Sequence, residues 1–179
     1  VQLRTRIDII PPDRTAGNDP RPEAGTRLRL RILATSDLHV RIHPHDYVTD
    51  RAVPGTGLAA LCDLIEAERA AHPNTLLFDN GDFLQGNPLG DHAAAALARN
   101  RPGLHPMIAA MNTVGYDAAT LGNHEFNFGL AFLERALEGA QFPVVASNLR
   151  LAPGLVFPAL PHVILERDLI DNHGQSRRL

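Results

Sequence analysis

The sequence predicts an α/β fold built on βαβ units with a mostly parallel sheet. Short apolar runs alternate along the chain with stretches of helical periodicity. Polar turns carrying Gly, Asp, Asn and His follow several of those runs. The composition is that of one ordinary globular domain: 179 residues, 44% hydrophobic and 21% charged, which excludes wholesale disorder and fibrous classes. Strands alternating with helices imply crossover connections, and these would cover both faces of a parallel sheet.

Residues 1–27 read as a Pro/Gly/Arg-rich N-terminal extension. Pro11, Pro12, Pro20 and Pro22 mix with Gly17, Asn18 and Asp19, a loop composition. Within it Leu3, Thr5, Ile7 and Ile9 alternate with charged residues as in a short edge strand, which Pro11 stops. Residues 28–179 carry the domain. The alternation of Leu28, Leu30, Ile32 and Ala34 predicts a strand to about Thr35. Thr56 is placed to cap a helix whose apolar face is Leu58, Leu61, Cys62 and Ile65, ending near His72-Pro73. Thr75–Phe78 reads as a buried strand, followed by helices over Asp91–Ala98 and Pro106–Val114. Tyr116–Leu121 is a third strand, and Leu130, Phe132, Leu133 and Leu137 mark a fourth helix closed by Gly139. Phe142–Ala146 and His162–Glu166 are further strands, and Asp171-Asn172-His173-Gly174 reads as a hairpin turn.

Charge and composition narrow the partners. All seventeen basic residues are Arg, and the formal net charge is −3, so no global positive field attracts a nucleic-acid polymer or an anionic membrane. Aromatic residues are only 5% and Trp is absent, which argues against a base-stacking sheet. No apolar run approaches the roughly 18 residues of a membrane-spanning helix. Cys62 is the only cysteine, which excludes an intrachain disulfide and a thiolate zinc cluster. The chain opens at Val1 with no basic-then-apolar leader, so either a removed leader or a piece of a longer protein is expected.

Three polar clusters follow three of the expected strands: Asp37-Leu38-His39, Gly81-Asp82 through Gly86, and Gly122-Asn123-His124-Glu125. Ligands of open α/β sheets bind outside the carboxyl ends of the strands, so the three clusters should meet at one sheet edge. Their residue types suit two divalent ions. Asp37 and His39, two apart on an extended strand end, point the same way and offer oxygen and nitrogen to one ion. Asp82 has two carboxylate oxygens with which to bridge, and Asn123 offers a carbonyl oxygen to the second ion. His124 points elsewhere and is free for proton or charge work. Gly81, Gly86 and Gly122 remove side-chain bulk where backbone nears the ions. Each cluster alone has an ordinary explanation as a turn or helix cap; their order and spacing together do not.

These motifs resemble the calcineurin-like metallophosphoesterases, in the branch containing the periplasmic 5'-nucleotidases. Thr35–His39, Asp46-Tyr47, Asp79–Asp82 with Gln85–Asp91, His105-Pro106, Met111–Thr113 and Thr120–Leu130 are closest to the bacterial 2',3'-cyclic-nucleotide 2'-phosphodiesterase/3'-nucleotidase group. The resemblance implies a metallophosphoesterase sandwich of which the chain holds an incomplete, N-terminal portion. It implies two divalent ions on Asp37, His39, Asp82 and Asn123, with His124 and Asn127 as the catalytic residues. It further implies hydrolysis of nucleoside 2',3'-cyclic phosphates to 3'-nucleotides followed by phosphate release, and a periplasmic or cell-surface location. The 5'-nucleotidases usually carry Asp where this chain has Asn127, which can bond to His124 but brings no charge. The family's downstream Gly-His motifs have no counterpart here, because no Gly-His dipeptide occurs. Two other readings stay open: a 5'-nucleotidase or UDP-sugar hydrolase, and a metal-free structural or binding module. Tyr47 is a weaker candidate for substrate contact. His43 and His45 read as a solvated loop, and His72, His92 and His105 as surface or cap positions at helix ends.

Overall fold

The computed structural model describes residues 25–99, 101–154 and 157–179. Strand β1 (Arg31–Thr35) is followed by the short strands β2 (His45–Asp46) and β3 (Arg51–Ala52), then helix α1 (Leu58–Ala71), strand β4 (Thr75–Asp79), and helices α2 (Pro88–Ala98) and α3 (Pro106–Val114). Strand β5 (Ala118–Thr120), a single 3-10 turn (His124–Phe126), helix α4 (Leu130–Leu137), strand β6 (Val144–Val145) and the strands β7 (Asp168–Ile170) and β8 (Ser176–Arg178) complete the order. Four strands form one parallel sheet in the order β1-β4-β5-β6, while β2–β3 and β7–β8 are antiparallel ribbons. The predicted α/β class and the hairpin turn at 171–174 are both found. The strand predicted in the first ten residues lies outside the described residues.

The sheet does not have the symmetric cover that the βαβ pattern predicts. Leu77 and Asp79 are buried on one face, together with Leu58 and Ile65 of α1, Leu97 of α2, Met107, Ile108 and Met111 of α3, and Leu133 and Leu137 of α4. On the opposite face Ile32 stands beside Leu76 and Ala34 beside Phe78; Ile32 is 60% exposed and Ala34 is exposed as well.

Local chemistry explains where elements start and stop. Thr56 does not cap α1; its hydroxyl donates to the Val53 carbonyl. The cap position is Gly57, with a left-handed φ of 83°, and the first helical N–H groups of Leu58 and Ala59 donate to the carbonyls of Arg41 and Ile42. Backbone from the loop after β1 replaces the side-chain cap, which needs a close approach that a Cβ at 57 would block: it would lie 2.8 Å from the carbonyl oxygens of Ile42 and His43. Helix α2 begins three residues earlier than the apolar pattern indicates, because Asn87 accepts from Leu89 and Gly90 N–H and Pro88 fits the first turn. The stretch 162–166 forms no strand. Leu160 alone bridges to Val145 of β6, Ile164 is 56% exposed, and pairing resumes at Arg167, which exchanges backbone bonds with Leu179. Apolar β-branched residues make a strand only where an edge is available to pair with.

His105 is a cap, as its position suggests, but it is buried rather than superficial. Only 1% of it is exposed. Its Nδ1 accepts from Met107 N–H, and its ring packs edge-on against Phe132 at 5.9 Å. Burial pushes its pKa down to about 4, because the cation would lose its hydration. The unfolded chain binds a proton near pH 6.5 and the folded chain does not, so this residue's contribution to stability is present above that range and is lost as pH falls toward about 4. His105→Asn keeps a side chain that caps well and removes the titration. Thermal melts from pH 7 down to 4 should therefore decline less steeply for the variant, by on the order of 3 kcal/mol over the window. Equal slopes would show that His105 is charged in the fold.

Candidate metal centre

The parallel ladder between β1 and β4 does not stop at the strand ends. Asn80 N–H donates to Thr35 O at 2.8 Å, Asp37 N–H to Gly81 O at 3.0 Å, His39 N–H to Asp82 O at 2.9 Å and Val40 N–H to Phe83 O at 3.1 Å. The two loops therefore run side by side past the carboxyl edge, where the chain order predicts a site. They do so in a strained conformation. Asp37, His39, Val40 and Asp82 all have left-handed φ, between 46° and 62°, a region costly for residues with a Cβ and typical of functional loops. Asp37 and His39 share a side for this reason, and not because they continue an extended strand.

Glu125 holds the third loop to the second. It is fully buried. Oε1 accepts from Phe83 N–H at 2.7 Å and Leu84 N–H at 2.9 Å, and Oε2 accepts from Asp82 N–H and Gly122 N–H, both at 2.7 Å. Four charge-assisted bonds satisfy both oxygens. Asp82 in turn accepts from His124 N–H at 2.9 Å. The glycines are required by close packing between the loops: a Cβ at Gly81 would lie 2.4 Å from the Gly122 nitrogen. A Cβ at Gly122 would overlap the Asp82 carboxylate, and one at Gly86 would lie 2.6 Å from His39 Nδ1.

These loops bring His39, Asp82 and His124 together, with one potential ligand atom from each within 4.8 Å of the others. The two imidazoles meet edge to face at 5.0 Å. His39 Nδ1–H donates to the Gln85 carbonyl at 2.7 Å, which leaves Nε2 with its lone pair toward the cluster, as in metal-binding histidines. Asp37 Oδ1 lies 3.8 Å from that Nε2, and its other oxygen accepts from the Ser36 hydroxyl. Asn123 precedes the 3-10 turn without capping it through its side chain, so its exposed carboxamide stays available. Asn127 Nδ2 sits 2.9 Å from His124 Nδ1 and 3.2 Å from Gln85 Oε1. Tyr47 packs edge-on against His45 at 5.1 Å and makes no ring contact or hydrogen bond with the cluster. Nitrogen and carboxylate donors in this arrangement fit a borderline divalent ion.

Sequence reasoning passed over three residues here. Glu125 sits inside the third motif and was legible as an acid beside three site residues. Gln85 carried no signal of its own. Asp79 ends an apolar run; it is buried, accepts from Thr35 Oγ1 at 2.5 Å and Gly81 N–H at 2.9 Å, and Thr35 also contacts the Tyr116 hydroxyl at 2.9 Å. Burial above all pushes the Asp79 carboxyl up to about 6, and the neighbouring Glu125 and Asp37 charges add to the rise.

Glu125→Gln tests the strut. One acceptor oxygen becomes an NH2 facing two N–H groups, so two charge-assisted bonds are lost and two donors are left buried. Denaturant unfolding should show a loss on the order of 3 kcal/mol or more. A loss below 1 kcal/mol would show that the loops hold without it.

Residues 30–178 match the family model for calcineurin-like phosphoesterase. The chain is 43% identical over 159 residues to the trifunctional nucleotide phosphoesterase protein YfkN of Bacillus subtilis, covering 87% of this chain and 11% of that protein. It is 41% identical over 150 residues to the 2',3'-cyclic-nucleotide 2'-phosphodiesterase/3'-nucleotidase of Salmonella typhimurium, covering 84% of this chain and 23% of the relative. Human 5'-nucleotidase is 33% identical over 135 residues, covering 72% of this chain and 22% of the relative. The crystal structure of YfkN superposes with a TM-score of 0.77 over 85% of this chain and 46% of the solved one. The chain thus spans less than a quarter of the curated relatives it matches. With its three motif loops meeting at the carboxyl edge of a parallel sheet, and with a family model matched across nearly all the described residues, the chain belongs to the calcineurin-like phosphoesterases.

Proposed function

We propose that this chain supplies the N-terminal part, residues 28–179, of the metallophosphoesterase domain of an enzyme that hydrolyses nucleoside 2',3'-cyclic phosphates to 3'-nucleotides and then releases phosphate. The convergence of His39, Asp82 and His124 is the observation that carries the enzymatic reading. The choice of substrate is supported by relatives of that name at 39–41% identity, against 32–34% for the 5'-nucleotidases, and by Asn127 at the position where a carboxylate is usual in the latter. Asp37, His39, Asp82 and Asn123 are the proposed ligands of two divalent ions, whose Lewis acidity neutralises phosphoryl charge and acidifies water. His124 holds a proton for the departing ribose oxygen: water adds to phosphorus, the P–O2' bond breaks, and O2' leaves as a hydroxyl. In the second hydrolysis the 3' ester bond breaks in the same way and yields nucleoside and phosphate. The substrate is a small nucleotide and not a nucleic-acid polymer. No helix among the described residues is long and apolar enough to cross a membrane, and a periplasmic or cell-surface location is proposed with the substrate. A 5'-nucleotidase is the second reading, supported by the human relative.

The natural protein carrying this segment should cleave 2',3'-cyclic AMP in preference to 5'-AMP, and the reverse preference would favour the second reading. In that protein His124→Ala should lower turnover about 10²–10⁴-fold with metal content nearly unchanged by elemental analysis. Loss of metal together with activity would make His124 a ligand instead. Residues 1–179 alone should bind Mn²⁺ or Zn²⁺ weakly in calorimetric titration, since Asp82 and Asn123 are the only ligands proposed for the second ion and three protein ligands are usual. Two tight sites would show the ligand set here to be sufficient.

A further inference from the structure

We propose that Gln85 is the positioning residue for both histidines of the centre: its main-chain carbonyl sets the tautomer of His39 and its side-chain oxygen sets that of His124. A neutral imidazole has one donor and one acceptor nitrogen, and the partner of one nitrogen decides what the other can do. For His39 the assignment follows directly. A carbonyl oxygen only accepts, so the 2.7 Å contact with Gln85 O requires Nδ1–H, and Nε2 keeps its lone pair. The carbonyl is part of the backbone and stays whatever side chain stands at 85.

For His124 three polar atoms meet. Gln85 Oε1 lies 2.8 Å from His124 Nδ1, Asn127 Nδ2 lies 3.2 Å from the same oxygen, and Asn127 Nδ2 lies 2.9 Å from Nδ1. Two bare lone pairs at 2.8 Å would repel, so the shortest contact holds a proton: Nδ1–H donates to Oε1. Asn127 then gives its own N–H to that oxygen, and one carboxamide oxygen gathers both donors. His124 Nε2 is left as an acceptor in the neutral ring and becomes a donor only when the ring is cationic. Gln85 also spans the two motif loops, since it lies in the β4 loop while His124 and Asn127 follow β5. The tie between these tautomers and catalysis rests on the enzymatic reading above; the tautomers themselves do not.

Nitrogen-15 NMR of the histidine rings tests this without turnover, on the metal-free chain at a pH well above the ordinary imidazole range. Both His39 and His124 should appear as Nδ1–H forms. In Gln85→Leu the oxygen is gone and Asn127 can donate to a bare Nδ1, so His124 should move toward Nε2–H, a change of roughly fivefold or more in the tautomer ratio for one hydrogen bond. His39 should not change. Gln85→Glu keeps an acceptor and should keep His124 as Nδ1–H, which separates the role of the oxygen from simple packing. Wild-type His124 as the Nε2–H form, an unchanged ratio in Gln85→Leu, or a switch of both rings together would each overturn the assignment. Because no substrate enters the measurement, failure of the enzymatic reading and failure of this one give different results.

Discussion

A single buried carboxylate sets the geometry of the whole carboxyl edge. Glu125 lies beneath the loops after β4 and β5, and its two oxygens take four backbone N–H groups from them. An ionised carboxylate without such partners could not stay in the interior. With them it acts as a fixed template: the N–H groups it gathers belong to Asp82 and Gly122 and to the residues just after Asp82. The left-handed backbone of Asp82 and the close stacking of Gly122 on its carboxylate are tolerable because this template holds both ends. The strained residues after β1 are held in turn, since their N–H groups bond to the carbonyls of Gly81, Asp82 and Phe83.

Support for the site is thus mostly main chain. His39 is oriented by the Gln85 carbonyl, its own carbonyl is gripped by Asn87, and Asn87 also caps α2. One asparagine therefore joins a helix start to a histidine loop. Below these loops Asp79, Thr35 and Tyr116 form a buried polar layer between the site and the apolar core. Partners of this kind fix side chains more firmly than exposed ones, because every alternative orientation strands a buried polar atom.

Much of the fold was legible in the sequence, for identifiable reasons. Helix α3 matched its predicted bounds because Pro106 opens it and Gly115, left-handed at its end, closes it. The three motif loops fell at one sheet edge because parallel βαβ order leaves no other arrangement. What could not be read depended on contacts distant in sequence. Thr56 looks like a cap, but backbone from residues 41 and 42 fills that role. The apolar stretch 162–166 looks like a strand but meets no edge. His105 looks like a surface cap, yet Phe132, from another helix, covers it. Gln85 stands in a motif, but its contacts with the two histidines do not show in the sequence because they depend on what two other loops place against it.

The long reach of the Glu125 bonds also bears on how the chain assembles. Three of them span 41 to 43 residues, and the neighbouring β1–β4 pairing joins residues 44 apart, Arg31 to Thr75. Contacts so remote in sequence form late and slowly, since loop closure must precede any gain from them. During synthesis the histidine loop after β1 would leave the ribosome long before the residues that shape it, and the cluster could close only after Asn127 has emerged. Affinity for a divalent ion would then be a property of the finished domain rather than of its early segments, and would serve as a late marker of folding.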